Sequence, residues 1–437
     1  MEKEQILTFN KTQSLEINNF KTTGNFVKIA QKLSEQAPFF LLFVMIIGMF
    51  TNDTQGILNI SAALLFLFVV YTAATKKNNI LSGLFRLISG RKFLFLFLAW
   101  CLFCATFFTY SGFTTDALKA IFDDWRYVIV ITLFLIVFQS EQSKSQKVIT
   151  YALISTLAFI LFITPILKII KGSDMPMYLQ LRYGFAHYMT LLFPFTFSSI
   201  FLFKKKILKI SMLFLSIMAF LFLLYTGSRG GILSISIEAL LLLILLSDSY
   251  KKAFIRIFLL GIVTLLLTVI SYLNIHQVKY KVDQSLYSKN ITSGRDVLIE
   301  ARLPIFSKEL SNLFVGVGYG SVAYNQFLHD NNAKHVIGRF SEKKKSFVFH
   351  NDDPFFLNIL YNIGLIGLIL FIITFFINIR DLIRSIRIEK NILNIGLLAS
   401  SIGYFLVYCL FEFIFLDIFI LYNILTAILI NNVLVKK

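Results

Sequence analysis

Residues 257–273 read IFLLGIVTLLLTVISYL, residues 355–379 read FFLNILYNIGLIGLILFIITFFINI, and about eighty mostly polar residues lie between them. Neither run holds a charged side chain. A transmembrane helix needs about 20 mostly apolar residues to cross about 30 Å of hydrocarbon, so both runs predict spans. Working outward from this pair, similar runs occur at 37–50, 56–75, 93–110, 125–139, 148–168, 184–203, 210–226 and 231–248, and again at 392–411 and 413–432. The fold class that follows is an all-α polytopic membrane protein with about 12 transmembrane helices and one large loop containing helical segments.

Composition agrees. Hydrophobic residues make up 57% of the 437 positions and charged ones 15%, where a soluble domain would carry about a quarter. The 49 phenylalanines suit lipid-facing helices better than a close-packed aqueous core. Cys101, Cys104 and Cys409 all fall inside apolar runs. The Cys-x-x-Cys at 101–104 therefore reads as two small packing residues, with no disulfide framework and no zinc-site spacing. Residues 1–36 are polar and lysine-bearing with no small-residue cleavage site, so they read as a cytoplasmic tail and not a signal peptide.

The connections alternate in charge. One set is short and basic: Lys76, Lys77, Arg86, Arg91 and Lys92; Lys144 and Lys147; Lys204 to Lys206 and Lys209; Lys251, Lys252 and Arg256; Arg380, Arg384, Arg387 and Lys390; and Lys436 with Lys437. The other set is poor in such runs and includes Asp116, Asp123 and Asp124. The positive-inside rule puts the basic set in the cytoplasm, and an even span count puts both termini there too. The formal charge of +18 is then a topology signal and not a nucleic-acid footprint. Residues 1–36 form the cytoplasmic tail, 37–273 hold spans one to nine, 274–354 form the large outer loop, and 355–437 hold the last three spans and a short cytoplasmic end. Long loops translocate largely regardless of charge, so the loop's eleven Lys and Arg residues do not oppose this orientation.

Candidate chemistry gathers at the outer side. Arg229 stands in Thr226-Gly-Ser-Arg-Gly-Gly231, a tight connection between two apolar runs. A charge beside hydrocarbon usually faces a polar cavity, although an arginine snorkelling to headgroups is the plainer alternative. Arg295, in Ser293-Gly-Arg-Asp296, opens an apolar helical pattern running from Val297 to Leu310. There an anion would meet both a guanidinium and free backbone N–H groups; a solvated loop arginine paired with Asp296 is the alternative. His350 precedes Asn351, Asp352 and Asp353 directly before the tenth span, where it reads as a proton acceptor or as a hydrated interfacial residue. Arg126 and Arg182 lie at outer span ends, as anchors or as further walls of an anion-accepting mouth. A metal site from His329, His335, His350 and Asp352 has no helical ligand spacing behind it, and no metal is expected. Glu238 and Asp417 are carboxylates inside apolar runs, candidates for pairing or for function.

From about Arg182 to Leu368 the chain resembles the O-antigen ligase and polymerase superfamily of bacterial membrane glycosyltransferases. The resemblance rests on Thr226-Gly-Ser-Arg-Gly-Gly-Ile-Leu233, on Ser293-Gly-Arg295 followed by Gly316-Val-Gly-Tyr-Gly320, and on His350-Asn351 leading into residues 355–368. It differs from the family pattern in Asp352-Asp353-Pro354. The resemblance implies a GT-C-like helical fold in the bacterial inner membrane, with its active site on the periplasmic face and no cofactor. It implies transfer of a glycan from undecaprenyl pyrophosphate to an acceptor sugar hydroxyl. Arg229 and Arg295 would bind the pyrophosphate, and His350 would be the general base or orient the acceptor. The acceptor distinguishes a ligase acting on lipid A-core from a polymerase extending a second lipid-linked unit or a transferase acting on protein. Length and the single dominant loop favour the ligase. A flippase would place charges midway along several spans and show repeated halves, whereas the sequence has mainly Glu238 and Asp417 within its runs and no convincing internal repeat.

Overall fold

The computed structural model describes residues 35–51, 54–75, 80–172, 176–287, 295–332, 338–341, 346–349 and 354–434. Each of the twelve apolar runs lies mostly in helical segments. In chain order these are α1 (Glu35–Met49), α2 (Gln55–Thr75), α3 (Ile80–Gly90), α4 (Lys92–Phe107), α5 (Thr114–Val137) and α6 (Gln142–Lys171). Then come α7 (Met177–Leu202), α8 (Lys206–Thr226), α9 (Arg229–Leu245) and α10 (Tyr250–Asn274). The connection that follows carries α11 (His276–Tyr287), α12 (Arg295–Phe306), α13 (Leu310–Val315), α14 (Ser321–Asp330), β1 (Gly338–Ser341) and β2 (Ser346–Phe349). The chain closes with α15 (Phe355–Ile388), α16 (Ile392–Ile402) and α17 (Leu416–Leu425).

Seven helices are long and apolar enough to cross a membrane, or eight if α3 and α4, bent by 97°, count as one broken span. The reading of twelve spans is not reached by this measure, for identifiable reasons. The helices Glu35–Met49 and Leu416–Ile430 are short, α9 has 17 residues, and α5 carries Asp116, Lys119, Asp123, Asp124 and Arg126 towards its N-terminal side. Two elements were not foreseen. α3 is a short amphipathic helix with Leu87 buried and Phe85 and Leu81 exposed, the pattern of a helix lying along an interface. The second is an antiparallel hairpin, β1 with β2, pairing Gly338 with Phe349 and Ser341 with Ser346.

The burial pattern is that of a protein dissolved in lipid. On α10, Phe258, Leu265 and Leu266 are all more than half exposed, an arrangement that apolar solvent tolerates and water does not. The interior instead takes small and hydroxyl side chains, as membrane helix packing requires. On α7, Thr190, Thr196, Ser198 and Ser199 are buried, as are Ser400 and Ser401 of the neighbouring α16. Ser400 donates to the Leu191 carbonyl at 3.0 Å. Glu238 is fully buried beside Gly403, where α16 passes into a π-helical turn (Gly403–Val407), and its carboxylate oxygens meet no hydrogen-bond donor among the described residues.

The bundle has two chemically different ends. At one, Arg91 pairs with Asp381 at 2.8 Å, Lys390 donates to the Leu245 carbonyl at 2.8 Å, and Arg256 donates to the Leu246 carbonyl at 3.2 Å. There Arg86 also reaches the Leu434 carbonyl at 2.6 Å. The basic connections are thus tied together at that end. The 276–349 elements dock at the other.

Candidate functional site

The docked segment is held by a break in α15. Gly364, in the middle of that helix, has φ +70°, a left-handed conformation that glycine alone takes without strain. The break leaves carbonyls of the preceding turn without intrahelical partners, and other elements satisfy them. Val317 N donates to the Tyr361 carbonyl at 2.9 Å and Gly318 N to the Asn362 carbonyl at 3.0 Å. Trp100 Nε1 of α4 donates to the Ile363 carbonyl at 2.9 Å. The Gly316-Val-Gly-Tyr-Gly320 stretch is therefore a docking loop that lies on the helix break. Tyr319 then reaches Asp124 of α5 at 2.7 Å.

Behind this loop α12, α14 and the first turns of α15 form a second core of Ile305, Phe306, Val317, Tyr324, Phe327, Leu328, Leu357 and Tyr361. The Phe306 and Tyr361 rings stack with centroids 4.2 Å apart. Arg302 is buried in it at 1% exposure and donates to the Tyr324 hydroxyl at 3.1 Å. At the far end of α14, Asp330 accepts from Gln326 at 2.7 Å, from Tyr110 at 3.1 Å and pairs with His329 at 3.1 Å. Burial alone would raise the Asp330 pKa, but these bonds, led by His329, hold it below the ordinary carboxylate value.

Arg229 stands on the tight turn between α8 and α9. Gly227 caps α8 with φ +65°, and Ser228 caps α9 by accepting from Gly231 N at 3.2 Å. Thr226, Ser228, Gly230 and Gly231 are buried while Arg229 is exposed, so the turn fixes the backbone and presents the guanidinium outward. Arg182 of α7 approaches Glu412 at 3.9 Å. Lys281 of α11 lays its side chain over Gly227, where an added Cβ would meet its Cγ at 2.8 Å. Burial lowers the pKa of Lys281, and the charges of Arg182 and Arg229 lower it further. Lys281 of the long connection thus lies over the turn that carries Arg229, within electrostatic reach of Arg182 and Arg229.

The sequence-predicted residues fare unequally. Arg182 and Arg229 both lie within electrostatic reach of Lys281. Arg126 does not join them through any described contact: it pairs with Asp123 at 3.5 Å and lies over the Tyr127 ring at 4.6 Å, both on its own helix. Arg295 is the first residue of α12, where its placement was expected. His350 lies outside the described residues, as do Ser293, Gly294, His335, Asp352 and Asp353. Sequence reasoning missed Lys281, Arg302 and the Asp124–Tyr319 pair. Arg302 alone left a trace, as a charge within an apolar helical pattern, seven residues after Arg295.

Fold and site together define a multi-pass helical membrane protein in which Lys281 lies over the Arg229 turn at the end that carries its long folded connection. Residues 213–372 match the family model described as O-Antigen ligase, so the chain carries a domain of the O-antigen ligase superfamily. The matched segment runs from α8 through Arg229, α10 and the docked elements to α15, past the Gly364 break. No curated protein matches the chain. The family supports a ligase- or polymerase-type, glycosyltransferase-like activity, with a lipid-linked glycan donor and a glycan acceptor.

Proposed function

We propose that this protein is an O-antigen ligase of the bacterial inner membrane. It transfers a glycan from undecaprenyl pyrophosphate to a sugar hydroxyl of lipid A-core on the periplasmic face, in lipopolysaccharide biosynthesis. The observation that carries this reading is the match of residues 213–372 to the O-Antigen ligase family model, a segment that presents Arg229 outward on a tight turn. A guanidinium there suits the pyrophosphate of a donor anchored by its lipid tail. The basic end faces the cytoplasm by the positive-inside rule, which puts the Arg229 turn on the periplasmic side.

In this reading the acceptor oxygen bonds to the anomeric carbon as the bond from that carbon to the pyrophosphate oxygen breaks. Undecaprenyl pyrophosphate leaves with the electron pair, and the acceptor proton passes to His350. Arg229 and Arg295 stabilise charge growing on the leaving group. Fixed cations aimed at developing charge are worth about 3–4 kcal/mol per key donor in enzymes generally. The same donor site serves a polymerase; length and the single dominant loop support the ligase.

A ligase-deficient host that makes the lipid-linked polymer provides the test. Wild-type chain should restore a polymer ladder on lipid A-core, and Arg229→Ala or His350→Ala at equal membrane abundance should abolish it. Absence of the ladder with wild type and donor both present would overturn ligation.

A further inference from the structure

α10 stands away from the bundle along its middle. Of its 25 residues only Ala253 and Ser271, near its two ends, are buried. The stretch between them borders a cavity of about 680 Å³ walled also by α7, α8 and α9, within the range of roughly 300–1,000 Å³ typical of small-molecule sites. A Cβ added to Gly261, on the α10 wall, would meet no atom within 4 Å. The cavity opens sideways, where Leu213 of α8, Leu240 of α9 and Leu265 of α10 are exposed at its rim.

Its interior offers little but hydrocarbon. Three of its hydroxyls are spent on their own helices: Ser216 donates to the Met212 carbonyl, Ser236 to the Ile232 carbonyl and Thr268 to the Thr264 carbonyl, each at 2.8 Å. Such a lining gives water few partners and suits an alkyl chain. α8 contributes no wall beyond Phe220, and α9 none before Ile235. The cavity therefore stops short of the Arg229 turn and reaches instead towards the basic end.

A cation closes that end. Arg256, fewer than two turns into α10, lines the cavity. Its Nη1 donates to the Leu246 carbonyl at 3.2 Å and to the Ser247 hydroxyl at 3.1 Å, and its guanidinium lies over the Phe201 ring, 5.1 Å from the centroid. These contacts hold the guanidinium at the end of α9. Nε and Nη2 meet no acceptor among the described residues, and Asp248, the carboxylate nearest in sequence, pairs with Lys252 at 3.2 Å. Exposed Lys204, Lys205, Lys206 and Lys251 make the same end basic.

We propose that this cavity binds an anionic phospholipid from the leaflet at the basic end, with one acyl chain between α8, α9 and α10 and the phosphate accepting from Arg256. The chain supplies the packing that α10 lacks along its middle. A guanidinium fork matches phosphate oxygens in short, charge-assisted bonds, and basic pockets between spans at the cytoplasmic side suit anionic headgroups. A zwitterionic headgroup carries its own ammonium beside the phosphate, so the surrounding lysines select a net negative lipid.

The test uses the purified full chain in detergent, titrated with dioleoyl phosphatidylglycerol or dioleoyl phosphatidylcholine and followed by native mass spectrometry. One phosphatidylglycerol should bind at least tenfold more tightly than phosphatidylcholine. Arg256→Gln should raise its Kd about tenfold, the scale of one lost charged hydrogen bond. Gly261→Phe and Thr264→Phe fill the cavity from α10 and leave Arg256 in place; each should keep wild-type helix content by circular dichroism and lose the tight site. Phosphatidylglycerol bound equally by wild type, Arg256→Gln and the filled variants would overturn the proposal. So would equal affinity for the two lipids, which would leave a gap filled by any chain. Undecaprenyl phosphate displacing phosphatidylglycerol at tenfold lower concentration, an advantage lost in Thr264→Phe, would give the cavity to a polyprenyl chain instead.

Discussion

Gly364 shows how a single residue organises this site. With φ +70° it interrupts α15, and the carbonyls it releases anchor Val317, Gly318 and Trp100. An alanine there would require a strained left-handed conformation, costing roughly 1–2 kcal/mol. Its Cβ would also run into the Phe314 carbonyl and the Val315 backbone, neither of which yields as a flexible side-chain end would. We expect Gly364→Ala to lower thermal stability in nanodiscs and to loosen the docked segment, read as faster hydrogen exchange at Val317 and Gly318. Unchanged exchange would mean that the break does not hold the loop. The change leaves the Arg229 turn untouched, so weakened turnover in this variant would report on docking and not on anion binding.

At the scale of elements, α14 is fastened at its end by Asp330 and its three donors, Gln326, Tyr110 and His329. Because its folded pKa is lowered, Asp330 contributes stability that is present above its unfolded value of about 3.9. That contribution is lost as pH falls through the folded pKa. Limited proteolysis between α14 and β1 should therefore accelerate in acid, and Asp330→Asn should remove that part of the acid sensitivity. An identical acid response in the variant would discard the fastening. The same scale shows what sequence could and could not reveal. The long apolar helices were legible because hydrocarbon demands about 20 uncharged residues in a row. α3 was not, because half its surface faces away from the bundle and its run is only 11 residues. α5 starts before residue 125 because its charged first turns are held by packing, with Ala117 and Ile121 buried and Asp124 bonded to Tyr319. Lys281 gave no signal, being one of eleven basic residues in a polar stretch until a helix laid it over Gly227.

At the scale of the molecule, segregation of charge is the property that gives the site a side. Basic connections are knitted together by Arg91–Asp381, Lys390 and Arg256 at one end, while the Arg229 turn, with Lys281 laid over Gly227, stands at the other. A lipid-linked donor diffusing in the bilayer keeps its tail among the exposed apolar faces and meets the Arg229 turn only at that other end, so orientation decides which leaflet supplies substrate. Cysteine labelling measures that orientation directly, since Cys101, Cys104 and Cys409 are buried and give little background. Ser307→Cys and Lys205→Cys place exposed thiols at the Arg229 end and the basic end. In spheroplasts a membrane-impermeant maleimide should label Ser307→Cys at once, and Lys205→Cys only after the membrane is opened. The opposite pattern would place the Arg229 turn in the cytoplasm, where a periplasmic acceptor never comes. An enzyme that works on donors still facing the cytoplasm would then replace the ligase reading, whatever that turn binds.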